Sequence, residues 1–220
     1  MPQSSGICEL YCWAAHKPDR PWRTGHEVED CLQAHLDAGI SDVVWNLGRS
    51  VIEYHSNLPD ATLFSGKGAD VPYMTQIGEM LAERCCLRAA LEFAGAHGMT
   101  LYGRLAMNRH YSPSAHGGSL TSDWAKAHPE FYEVSKEADA DPSRLCYALE
   151  AVRRERIDLL LEAAWIGVDG LQLDFCRQPP MCRYHPALID GFRAEAGIDP
   201  RDIDPWEGSG FRDWISYRAQ

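Results

Sequence analysis

Two kinds of apolar pattern alternate along the chain. Short runs rich in β-branched and aromatic residues predict four strands, at 7–14, 40–48, 99–108 and 168–175. Longer runs with apolar residues at a helical spacing predict helices, at 24–39, 77–98, 151–167, 185–197 and from 211 onward. Because strands and helices alternate, the pattern predicts an α/β fold with a parallel sheet.

The connecting segments differ in length at the two ends of the predicted strands. Long polar segments, 49–75 and 109–147, follow the second and third strands, whereas linkers such as GIS, GM and GV follow the helices. This asymmetry is typical of a (β/α) barrel, whose working face is built from the loops after the strands. A doubly wound sheet is the alternative, but the first strand runs into WAAHKPD instead of a glycine-rich phosphate turn.

The number of strands sets how much of a barrel the chain can supply. A complete barrel has eight strands, and four are predicted here. We therefore expect residues 1–220 to form a single domain, a partial TIM-type (β/α) barrel of about four βα units. A half barrel leaves two sheet edges open, which predicts self-association through those edges.

Alternation along each predicted strand separates an apolar face from a polar one. In the fourth strand Leu171, Leu173 and Phe175 share the apolar face, which is expected to pack under helices. The opposite faces of the four strands would point into a barrel, and they collect Glu9, Tyr11, Trp13, Asn46, Arg104, Asn108, Gln172 and Asp174. The later members of this set lie near the carboxyl ends of the strands, where barrel enzymes have their active sites.

Asp174 is the candidate catalytic carboxylate, because it ends a predicted strand. If the strand order follows the chain order, Arg104 lies on the neighbouring strand and would hold Asp174 ionised and oriented. The alternative is a buried ion pair without chemistry. Arg177, in the loop after Asp174, is either a substrate clamp or a solvated charge.

The net charge of the chain indicates which classes of partner it is expected not to bind. The chain carries 21 Lys and Arg against 32 Asp and Glu, a net charge of −11, which argues against nucleic acid and anionic membrane surfaces. Long apolar runs and a signal-peptide pattern are both missing from the sequence, which favours a cytoplasmic location.

The sequence predicts no metal and no cofactor. His110, His116 and His128 lie at spacings that match no common zinc motif. The cysteines form no CxxC pair and are expected to be reduced, mostly buried small hydrophobes. These cysteines are Cys8, Cys12, Cys31, Cys85, Cys86, Cys146, Cys176 and Cys182.

Two blocks, GVDGLQLDFCR (167–177) and FRAEAGIDP (192–200), carry a resemblance to a known family. With them the chain resembles the bacterial glycosyl-hydrolase-like TIM barrels, which are related at a distance to α-amylase-type and family-10-like glycosidases. The resemblance implies a barrel that binds or hydrolyses carbohydrate, with Asp174 as nucleophile or electrostatic stabiliser. In the amylase-type strand an arginine stands two residues before the aspartate, and here that position is Gln172.

A glycoside hydrolase needs two carboxyl groups. In related barrels the second comes from a later strand, so residues 1–220 alone are expected to hydrolyse no glycoside, although Glu53 and Asp123 lie in loops that could approach Asp174. A non-catalytic carbohydrate-binding barrel and a hydrolase of another bond are the alternatives. The residues expected to bind the sugar or to position Asp174 are Arg104, Asn108, Arg177, Asn46, Gln172 and Tyr147.

Overall fold

The computed structural model describes residues 4–8, 25–69, 71–108, 110–175 and 182–220. Four of its strands form one parallel sheet, in the spatial order β1, β2, β3, β6. Two further strands, β4 and β5, form a separate antiparallel pair. The bounds are β1 Ser4–Cys8, β2 Ile40–Gly48, β3 Thr100–Ala106, β4 Tyr132–Val134, β5 Ala140–Leu145 and β6 Gly170–Asp174.

The described helices follow the predicted pattern with one interruption. They are α1 Glu27–Asp37, α2 Pro72–Glu83, α3 Cys86–His97, α4 Asp123–Ala127, α5 Glu150–Ile166, α6 Pro186–Ala196 and α7 Gly210–Arg218. Single 3-10 turns cover Ala115–Gly118, Pro129–Phe131 and Pro200–Asp202. In the part of the chain that is described, no helix combines the length and the apolar character needed to cross a membrane.

The helix predicted at 77–98 is two helices, α2 and α3. Arg84 separates them in an extended conformation, with φ −143° and ψ 137°. Its guanidinium donates to the carboxylate of Glu29 and, at 3.2 Å, to the carbonyl of Gly25. This ion pair joins the break between α2 and α3 to the start of α1, so a tertiary contact overrides the local helical pattern.

The predicted TIM-type barrel is wrong. Among the described residues the parallel sheet is open, with β1 and β6 at its two edges. Closure of a barrel requires a tilt and a stagger accumulated over about eight strands, and four twisted strands make an open sheet. Loops that are long after strands and short after helices also occur in open α/β sheets. The parallel pairing and the strand order along the chain were predicted correctly.

The segment predicted as an irregular loop, 109–147, contains further structure. It holds α4 and the antiparallel strands β4 and β5, in which Tyr132 pairs with Leu145. Strands this short carry little periodic signal, and their pairing is decided by contacts outside the hairpin.

The main core lies between the sheet and one layer of helices. Val43, Trp45 and Leu47 of β2 and Leu101 and Leu105 of β3 are all buried there. They pack with apolar residues of α1, α3 and α5, as the alternation along these two strands predicts. The polar face of the same strands is therefore left to form a site.

Strand β6 departs from this arrangement. Leu171, Leu173 and Phe175 are exposed, so the prediction that they pack under helices is wrong. In the described part of the chain β6 is an edge strand, and its main contacts are with β3 and α5. A second exposed row, Ile157, Leu161 and Trp165, runs along α5 at a spacing of four residues. We call these two rows the α5–β6 apolar rows.

Candidate functional site

A row of polar side chains crosses three strands on the face opposite the main core. Asn46 of β2 pairs in register with Arg104 of β3, and Arg104 pairs with Gln172 of β6. Residues paired across neighbouring strands point to the same face of a sheet, and Asp174 is two residues beyond Gln172 on that face. We call Asn46, Arg104, Gln172 and Asp174 the polar row.

The predicted ion pair between Arg104 and Asp174 is present. Nη2 of Arg104 contacts Oδ2 of Asp174, and the two side chains are only 14% and 9% exposed. The end of β6 is also fixed through its backbone, since the N–H of Met107 donates to the carbonyl of Asp174 at 2.9 Å. A largely buried ion pair interacts more strongly than one in water, so Arg104 holds Asp174 in place and keeps its charge compensated.

A second carboxylate joins the polar row at β2. Nδ2 of Asn46 donates to Oε1 of Glu53 at 2.6 Å, and both residues are buried. The chain returns to this point because it reverses at Gly48, which has φ 125° and bridges to Ile52. A Cβ atom at Gly48 would lie 2.3 Å from the carbonyl oxygen of Val51, so only glycine fits this turn.

The two carboxylates lie at opposite ends of the row. Glu53 is bonded to β2 through Asn46, Asp174 ends β6, and β3 runs between them. Two strand spacings, on the order of 10 Å, separate β2, which holds Glu53 through Asn46, from β6, which carries Asp174. Glu53 was predicted to lie in a loop that could approach Asp174, and in the structure it lies at this edge of the sheet.

The loop that carries Glu53 is anchored to α5. Arg156 of α5 is fully buried and donates to the carbonyl of Arg49 and to the carboxylate of Glu155. The hydroxyl of Tyr54 donates to the carbonyl of Leu159 at 3.0 Å. These bonds on both sides of Glu53 hold its backbone in a defined position.

The other predicted binding residues fall into three groups. Asn108 is buried just beyond β3, and Gln172 is exposed in the polar row. The hydroxyl of Tyr147 reaches the same edge, but it donates to the carbonyl of Met107, and burial raises its pKa. The role that this contact gives Tyr147 is structural, since it holds the backbone at Met107. Arg177 lies outside the described residues, as do Glu9, Tyr11 and Trp13.

Asp123, the other loop carboxylate, has a different environment. Its side chain is 81% exposed and forms an ion pair with Lys126 at 3.1 Å within α4. It lines a groove with Asp60 and Trp124. Glu53, in contrast, is buried and hydrogen bonded to the polar row, so it is the stronger partner for Asp174.

A buried hydroxyl–imidazole cluster organises the loops beside the site. Nδ1 of His110 lies 3.0 Å from Oγ of Ser50, which donates to Oγ of Ser122 at 3.2 Å. Burial, aided by the positive charge of Arg156, holds the pKa of His110 well below its usual range. The imidazole is therefore neutral, and the cluster ties together the loops after β2 and β3.

One group of chemically reactive side chains was missed by the sequence analysis. Glu133, Cys146 and Cys182 lie with a carboxylate oxygen and both sulfurs within 4.8 Å of one another. The cysteines are far apart in the sequence and form no spacing motif, so only the fold brings them together. We call these three residues the thiol–carboxylate cluster.

Comparisons with known proteins identify no family for this chain. No family model matches it, and no curated protein matches it. The structure is similar to the crystal structure of a hypothetical protein from Ruminiclostridium thermocellum ATCC 27405, with a TM-score of 0.48 and 13% sequence identity. That similarity covers 90% of this chain and 86% of the other, and at this level it assigns no function. The resemblance to glycosidases stays a prediction.

Proposed function

We propose that the chain binds carbohydrate at the carboxyl edge of its parallel sheet and hydrolyses a glycosidic bond there. The observation that carries the proposal is the pair of carboxylates, Asp174 and Glu53, at the two ends of one polar row. Glycoside hydrolysis uses two carboxyl groups, one on each side of the bond that is cleaved. This differs from the expectation that the chain lacks the second carboxyl group, because Glu53 now takes that place.

The separation of the two strands that hold the carboxylates favours an inverting reaction. Inverting enzymes have carboxyl groups about 6.5–9.5 Å apart, which leaves room for a water, whereas retaining enzymes have them about 5–5.5 Å apart. The separation of β2 and β6, two strand spacings or about 10 Å, is nearer to the range of inverting enzymes. Asp174, ion-paired with Arg104, suits the base that activates water, and Glu53 then protonates the leaving oxygen.

Neighbouring groups provide contacts for a sugar. The exposed amide of Gln172 can donate to and accept from hydroxyl groups. Phe175 follows Asp174 directly, is exposed, and packs edge-on against Tyr147 with ring centroids 6.1 Å apart. Phe175 belongs to the apolar face of β6 with Leu171 and Leu173, so this ring pair lies behind the polar row, and Gln172 is the contact that the row itself offers to a sugar.

The proposal is tested with the purified chain and a panel of polysaccharides and aryl glycosides. We expect release of reducing ends, and a loss of at least about 100-fold in kcat for both Asp174→Asn and Glu53→Gln. Asp213→Asn, which changes an exposed carboxylate on α7, is the matched control and should retain full activity. Folded wild-type protein that cleaves none of the panel would contradict the hydrolase, and so would full activity of Asp174→Asn.

A non-catalytic carbohydrate-binding protein is the second candidate. It is favoured by one observation, that both carboxylates are already engaged, Asp174 by Arg104 and Glu53 by Asn46. In that case saturation-transfer NMR detects sugar binding, Gln172→Ala weakens it, and no product forms.

A further inference from the structure

The thiol–carboxylate cluster joins the β4–β5 hairpin to the segment that precedes α6. Glu133 lies in β4, Cys146 directly follows β5, and Cys182 lies four residues before α6. Both Glu133 and Cys146 are fully buried, and Cys182 is partly buried. One carboxylate oxygen and the two sulfurs lie within 4.8 Å of one another, which is a compact set of donor atoms.

Two hydrogen bonds from residues outside the cluster hold it in place. The N–H of Arg183 donates to Oε2 of Glu133 at 2.9 Å, which ties the segment before α6 to β4. The guanidinium of Arg218, at the end of α7, donates to the carbonyl of Cys182 at 2.7 Å. The donor atoms are therefore positioned by contacts other than those they make with each other, as the outer contacts of a metal site are.

The second oxygen of Glu133 is the informative atom. Oε1 is buried and has no hydrogen-bond partner, although it belongs to a residue with no exposed surface. A buried polar atom without a partner is unfavourable, and a cation would satisfy it.

The two thiols also form an acceptor for a cation. The sulfurs of Cys146 and Cys182 belong to one set of donor atoms, all within 4.8 Å of one another. Thiolates are the ligands that zinc and other soft metal ions prefer, whereas Mg²⁺ and Ca²⁺ take oxygen ligands.

We propose that Glu133, Cys146 and Cys182 are three protein ligands of a zinc ion. At about 2.3 Å to sulfur and 2.0–2.2 Å to oxygen, tetrahedral zinc needs ligand atoms roughly 3.3–3.8 Å apart, so the side chains close by about 1 Å. The thiol protons, and the carboxyl proton where present, leave to solvent when the ion binds.

Among the described residues, Glu133, Cys146 and Cys182 are the only ligands that the cluster supplies, which leaves one position of a tetrahedral zinc ion to a further ligand. Cys182 also lines a cavity of about 580 Å³, together with Tyr147 and Arg218, and this cavity can supply a water molecule as the fourth ligand. Three protein ligands and one open position are the arrangement of catalytic rather than structural zinc.

A disulfide between Cys146 and Cys182 is the competing use of the same atoms. It would remove both sulfurs as ligands for a cation and leave Oε1 of Glu133 buried without a hydrogen-bond partner. A zinc ion uses all three donor groups, so the position of Glu133 favours the metal.

The test measures metal binding directly. The full chain is purified in reductant without chelator, and mass spectrometry of its elements should find about one zinc per chain. Cobalt added to the metal-free protein should give thiolate-to-cobalt charge-transfer absorption. Glu133→Gln, which preserves size, and Cys182→Ser should each weaken zinc binding at least about tenfold in competition with a chromophoric chelator.

Cys85→Ser is the control, because Cys85 is partly buried and lies outside the cluster. Its zinc affinity should equal that of the wild type. Wild-type affinity in both Cys182→Ser and Glu133→Gln would overturn the proposal. Peptide mapping that finds Cys146 and Cys182 joined in protein purified with reductant would overturn it as well.

Discussion

Removal of one partner from the Arg104–Asp174 ion pair should destabilise the fold strongly. The two side chains are 14% and 9% exposed, so Arg104→Met leaves a carboxylate in a poorly hydrated place without the guanidinium that compensates it. The expected loss is about 3–5 kcal/mol in the free energy of unfolding. Since the free energy of unfolding of a single domain is about 5–15 kcal/mol, this loss is a large part of the total stability.

The assay is urea unfolding at neutral pH, followed by far-UV circular dichroism, for the wild type and a double-mutant cycle. The double variant Arg104→Met with Asp174→Leu should recover most of the loss, because an apolar pair of similar volume often replaces a buried ion pair without cost. Lys126→Met is the control, since the Lys126–Asp123 pair is exposed and should contribute less than about 1 kcal/mol. A loss below about 0.5 kcal/mol for Arg104→Met, or additivity of the two substitutions within that margin, would refute the reasoning.

Three further predictions concern stability and association. Gly95→Ala in α3 should stabilise the fold by about 0.5–1 kcal/mol, because the added Cβ meets nothing within 4 Å. Gly78→Ala should destabilise it by at least about 1–3 kcal/mol, because the added Cβ would lie 1.8 Å from the carbonyl oxygen of Ser65. Thermal unfolding of both variants checks this pair of predictions. The pKa of His110 is held well below 6.5, so below about pH 6.5 the unfolded state binds a proton that the native state does not. The free energy of unfolding should therefore decline by up to about 1.4 kcal/mol per pH unit as the pH falls through this range. Urea titrations at several pH values should find a shallower decline in His110→Gln. Self-association through the open edge stays a prediction: sedimentation should detect larger species as concentration rises, and Leu173→Lys, on the exposed edge strand, should suppress them.

Local pattern predicted the parts of this fold that depend on neighbouring residues. The strand at 40–48 was predicted with its observed bounds, and its alternation separated buried Trp45 from the polar face of Asn46. Strand order and parity together predicted that Arg104 meets Asp174. Each of these follows from periodicity within one segment, or from the tendency of consecutive strands to lie side by side.

Features that depend on distant contacts were not predictable in this way. The break at Arg84 is set by Glu29, and the position of Glu53 is set by the turn at Gly48. Cys146 and Cys182 meet through the packing of the hairpin against the segment before α6. The prediction of a closed barrel was wrong because it was inferred from loop lengths, and loop lengths do not determine whether a sheet closes.

The α5–β6 apolar rows provide a built-in fluorescence reporter. Trp165 is 88% exposed in its row, whereas Trp45 and Trp214 are buried in the cores and already shielded from solvent. A molecule that covers these rows should shift the emission of Trp165 to shorter wavelength and protect it from acrylamide. Phenylalanine in place of Trp206, the other strongly exposed tryptophan among the described residues, would reduce the background signal. Whatever binds this surface can thus be detected in solution without a label.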